Sequence, residues 1–83
     1  MKELNNVLTE LGISKVRLSK YLGVSRQMLY NYLALPTLGD WPKEKSVKLL
    51  SLLNISNEEE LKKIEVTGEY IIEVEGRLNE GVK

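Results

Sequence analysis

The chain has 83 residues, a formal net charge of zero, no cysteine and no histidine, which rules out disulfides and thiolate metal sites and removes the commonest general base and metal ligand. A chain this short builds one small core, and no apolar run approaches the roughly 18 residues of a membrane span. The expectation is a cytoplasmic, non-enzymatic protein with no metal, cofactor, membrane or small-molecule partner, since the lack of cysteine fits a reducing compartment and residues 1–6 lack the apolar stretch of a signal peptide.

In chain order, Leu4, Val7, Leu8 and Leu11 recur at helical spacing, with Gly12 as the stop. Ser14 can cap a second helix whose apolar positions are Val16, Leu18 and Leu22, ended by Gly23. Ser25 can cap a third from Arg26 to about Leu33, with Met28, Leu29, Tyr32 and Leu33 as apolar positions. Residues 34–40 read as a loop, Trp41 as its anchor, and Pro42 suits the first turn of a fourth helix. That helix has two apolar sides: Val47 and Leu50 on one, Leu49, Leu52 and Leu53 on the other. A helix buried on two sides needs two partners, the second being the C-terminal segment or another subunit.

Ser56 and Glu59 have the spacing of a capping box opening a further element. Beyond it two readings stay open. As a helix, Ile64, Thr67, Ile71, Val74 and Leu78 form a short heptad seam, with Glu73 and Arg77 paired one turn apart. As a strand, Tyr70, Ile72 and Val74 alternate with Ile71, Glu73 and Glu75 between Gly68 and Gly76. Helix propensity of Glu and Leu favours the first, against two internal glycines.

Charge is divided along the chain. Residues 15–55 carry Lys15, Arg17, Lys20, Arg26, Lys43, Lys45 and Lys48 against Asp40 and Glu44; residues 56–83 carry eight glutamates against Lys62, Lys63, Arg77 and Lys83. Between Lys15 and Leu38 every formal charge is positive, which suits a face that meets a polyanion. On the third helix Ser25, Arg26, Gln27, Tyr30 and Asn31 lie opposite the apolar positions. Arg, Gln and Asn are the side chains that pair in bidentate fashion with guanine and adenine in the major groove.

The stretch LSKYLGVSRQMLYNYL, residues 18–33, resembles the helix-turn-helix of phage repressor and Cro-type bacterial transcriptional regulators. Gly23 stands where the chain must turn left-handed, Val24 where the gap between the helices is plugged, and Ser19 where the family usually has alanine. The resemblance spans about residues 3–55 and departs at the longer loop of residues 34–41. It implies an all-α, four- to five-helix bundle of the lambda-repressor-like DNA-binding type, followed by the C-terminal extension.

It further implies that Ser25, Arg26, Gln27, Tyr30 and Asn31 read bases of double-stranded DNA, while Lys15, Arg17, Lys20, Lys43 and Lys45 meet phosphates. Residues 1–55 would then be the DNA-binding domain and residues 56–83 a dimerisation element. Leu49, Leu52 and Leu53 would supply that interface together with Ile64, Ile71, Val74 and Leu78. A tail helix over residues 57–79 would be about 34 Å long, matching the spacing of two half-sites of an inverted repeat, roughly 34 Å. The alternative is a protein–protein interaction module with the same fold and no DNA binding, which the acidic tail favours.

Overall fold

Glycine sets the first two turns of the chain. Gly12 and Gly23 leave their helices at φ 71° and 73°, a left-handed conformation that side chains with a Cβ resist. Asn54 does the same at φ 57°, as the residue type that tolerates that region best after glycine. These stops divide the computed structural model, which describes residues 1–81, into α1 (Lys2–Leu11), α2 (Lys15–Leu22), α3 (Arg26–Leu33), α4 (Lys43–Leu53) and α5 (Gly68–Gly81). Short 3-10 segments at Leu38–Asp40 and Glu58–Lys63 complete an all-helical bundle. Among the described residues no helix is long and apolar enough to cross a membrane; Val82 and Lys83, the end of the expected dimerisation element, lie outside the description.

The serine caps fall where the sequence puts them. Ser14 Oγ accepts the amide of Arg17 at 3.2 Å and Ser25 Oγ that of Met28 at 3.1 Å, satisfying one of the unpaired donors at each helix start. Trp41 anchors the loop: it is buried, its Nε1 donates to the Tyr32 carbonyl at 2.9 Å, and its ring lies 5.3 Å from that of Tyr32. Leu38, in the 3-10 turn before it, is buried too.

The C-terminal segment departs from expectation in three ways. The capping box is one residue further on: Asn57 Oδ1 accepts the Glu60 amide at 3.3 Å, and the Glu60 carboxylate accepts the amides of Asn57, at 3.2 Å, and of Ser56. What it opens is a six-residue 3-10 segment rather than a long helix. The last helix begins at Gly68, after Thr67 Oγ1 accepts the Tyr70 amide at 3.1 Å, so Ile64 and Thr67 precede it and the heptad run is not one continuous seam. Strand pairing does not occur among the described residues. Neither glycine opposes the helix strongly, for Gly68 stands in the first turn and Gly76 on the exposed face, each costing about 1 kcal/mol relative to alanine at an interior position.

The third departure takes five of the expected dimerisation residues off the surface. Leu49, Leu52, Leu53, Val74 and Leu78 are buried within the single chain at 0–1% exposure, and Ile64 and Ile71 pack partly buried against the same core. A 14-residue helix is about 21 Å long, short enough to lie back along a molecule 30 Å across. It also satisfies the carbonyls that end α4. Arg77 Nε donates to the Leu52 carbonyl at 2.8 Å, and the Tyr70 hydroxyl to that of Leu53 at 2.6 Å. Arg77 is thus directed at α4 and not at Glu73. The side of α4 that bears Val47 and Leu50 is the less covered one, with Leu50 half-buried against the core and Val47 exposed.

Candidate nucleic-acid interface

The α2–α3 unit depends on a close approach that small side chains permit. Ser19 is buried at 5% exposure, and its Oγ donates to the Val16 carbonyl at 2.8 Å, so its polar atom is satisfied inside its own helix. After Gly23, the Val24 amide donates to the Ser19 carbonyl at 3.0 Å, and the Val24 side chain packs partly buried against the core. Leu18, Leu22 and Leu29 fill the inner side at 0% exposure, with Leu33 also buried. Tyr32 is half-buried against Trp41, whereas Tyr30 is exposed at 47%.

The outer face of α3 is consequently polar and open. Arg26, Gln27, Tyr30 and Asn31 are all exposed, while the Ser25 side chain is occupied as the cap. The ammonium group of Lys15, in the first turn of α2, stands 6.0 Å from the centroid of the Tyr30 ring. That contact joins the start of α2 to the outer face of α3. Lys15, Lys20 and Lys43 are exposed.

Two of the expected phosphate contacts are already engaged within the chain. Lys45 is half-buried and donates to the Leu22 carbonyl at 2.8 Å, closing the C-terminal end of α2 where a cation also suits the helix dipole. Arg17 is turned toward α5. Its two terminal nitrogens meet both oxygens of Glu75, at 3.0 and 2.6 Å, and Nη2 also reaches Asn79 Oδ1 at 3.3 Å. Hydrogen bonding to Arg17, reinforced by its charge and opposed by desolvation, holds the Glu75 carboxyl below its ordinary pKa. The same bonds raise that of Arg17.

Sequence reasoning missed Glu75 and Asn79. They stand one turn apart on α5, a spacing that suits a guanidinium, but a partner 58 positions away is not readable from that spacing. It also missed Met28, taken as apolar core yet exposed at 44% on the outer side. Elsewhere, a cleft lined by Glu3, Asn57, Glu58, Glu59, Leu61 and Lys62 lies between α1 and the second 3-10 segment. No cluster of His, Cys, Asp and Glu able to hold a metal occurs among the described residues. The chain matches no family model, no curated protein and no solved structure.

Proposed function

We propose that this protein is a sequence-specific DNA-binding regulator that reads the major groove with α3, in the manner of the phage repressor and Cro-type regulators it resembles. The observation that carries the reading is the outer face of α3. Arg26, Gln27 and Asn31 are all solvent-exposed on one short helix, and neither α2 nor α3 contains an acidic residue. Those three side chains supply the paired donors and acceptors that base edges require. Phosphate contacts fall to the exposed cations Lys15, Lys20 and Lys43, of which Lys15 stands against the α3 face.

The expected homodimer on an inverted repeat belongs to the same proposal, since one helix-turn-helix reads only a few base pairs. Its contact surface comes from side chains the single chain leaves exposed; outside α2 and α3 the large apolar ones among the described residues are Val47 and Ile72. The competing reading is a protein–protein module without DNA binding. The Arg17–Glu75 pair favours it, because α5 takes one cation away from the basic face. A gel shift with random-sequence duplex at two salt concentrations separates the two. Affinity that falls steeply with salt supports DNA binding; a protein that retains no duplex at low salt leaves the interaction module.

A further inference from the structure

Three of the large apolar side chains exposed among the described residues belong to the α2–α3 unit: Val16 at 39%, Met28 at 44% and Tyr30 at 47%. Isolated exposed apolar residues are ordinary. Met28 and Tyr30 are not isolated, because each neighbours a polar side chain of the same face. Met28 stands three residues from Asn31 and Tyr30 three from Gln27, about 60° apart around the helix. The formal charges on this unit are all positive, and Lys15 extends over the Tyr30 ring. Met28 and Tyr30 thus flank Gln27 and Asn31 on either side, so an occupant of this face must present anions at the rim and apolar groups beside its hydrogen-bonding edges. Duplex DNA offers that combination in the major groove through the C5-methyl group of thymine.

We propose that Met28 and Tyr30 contact thymine methyl groups, so that the preferred half-site carries thymine next to the bases met by Gln27 and Asn31. The proposal rests on α3 being the groove-reading helix and adds what that helix discriminates. Met28 is unbranched and adaptable, which suits packing on a methyl group of variable position. Tyr30 is braced by the Lys15 ammonium, an arrangement that also directs a cation toward the adjoining phosphates.

The test uses the full chain and a duplex selected by it from a random pool. Each thymine of that duplex is replaced singly by uracil, which pairs identically and lacks only the methyl group. The expected result is one or two positions per half-site where uracil weakens binding by about fourfold, the value for burying one methyl-sized group. In Met28→Ala or Tyr30→Ala one of those penalties should vanish while the others remain. Both side chains are exposed, and a circular dichroism melt checks that each variant folds. Selected sites without thymine, or uracil replacements that are neutral in the wild-type protein while the duplex is still bound, would overturn the proposal and leave DNA binding standing. Failure to select any duplex overturns both.

Discussion

Arg17 and Glu75 join α2 to α5 through a two-pronged guanidinium–carboxylate pair, with Asn79 as a third contact. Both side chains remain about a third exposed, so the pair contributes at most about 1 kcal/mol to stability. Its larger consequence is for charge. An acidic helix from the far end of the chain neutralises one cation in the first turn of α2.

Replacing Glu75 with glutamine should therefore change binding more than folding. The melting temperature is expected to fall by a few degrees at most, while affinity for duplex DNA rises. Its logarithmic salt slope should steepen by about one unit as Arg17 becomes free to meet a phosphate. Gel shifts of Glu75→Gln across a salt series read this directly. An unchanged slope would mean that Arg17 does not reach DNA even when released.

The same pair sets an acid response. The folded-state pKa of Glu75 is depressed from 4.5. Its contribution is therefore fully present above that value and is lost as pH falls through the lower folded-state pKa. Acid titration of stability should show a small loss below about pH 4.5 that Glu75→Gln lacks. Parallel denaturation curves for the two proteins at pH 7 and pH 3 test it.

Lys45 separates a structural cation from those proposed to meet DNA. Because it closes α2 at the Leu22 carbonyl, Lys45→Ala should cost about 1 kcal/mol of stability and leave the salt slope of DNA binding unchanged. Lys15→Ala should do the reverse, reducing the slope by about one unit with little effect on the melt. Thermal melts and salt titrations on both variants check the contrast.

The burial of Val74 and Leu78 predicts the behaviour of the C-terminal helix. Leu78→Ala should destabilise the single chain by about 2–5 kcal/mol without altering its mass by light scattering. Ending the chain at Ile55 removes the side chains that cap Leu52 and Leu53 and uncovers the α4 core face. That version should lose its cooperative melt. If it instead folds normally, α5 is an accessory and not part of the core.

The contrast between the two halves of the chain follows from where their determinants lie. Ser14, Gly23 and Ser25 act on backbone groups within five residues of themselves, so α2 and α3 are legible from local pattern alone. The exposure of Gln27 and Asn31 follows from the same helical period, while Arg26 is exposed as the first residue of α3. The course of the tail is not local. Leu49, Leu52 and Leu53 look surplus on α4, and Val74 and Leu78 look surplus beyond it, until α5 is seen to pack on α4 and both sets to lie in one core. Two apolar faces awaiting partners read equally well as a dimer interface or as one intramolecular contact. The polar bonds from Tyr70 and Arg77 to the end of α4, which belong to the second arrangement, span 17 and 25 positions. The capping box shifted by one residue because Asn57 with Glu60 has the same spacing as Ser56 with Glu59, leaving the choice to tertiary contacts.

Whether α3 reads DNA sequence is decided by selection from a random duplex pool with the wild-type protein and with Arg26→Ala/Gln27→Ala. The wild-type protein should enrich a defined half-site. The double variant should still bind duplex weakly at low salt but enrich no motif, each lost base contact costing on the order of 1–3 kcal/mol. Retention of the same motif by the double variant, or no enrichment by the wild-type protein at any salt, would contradict sequence reading by α3.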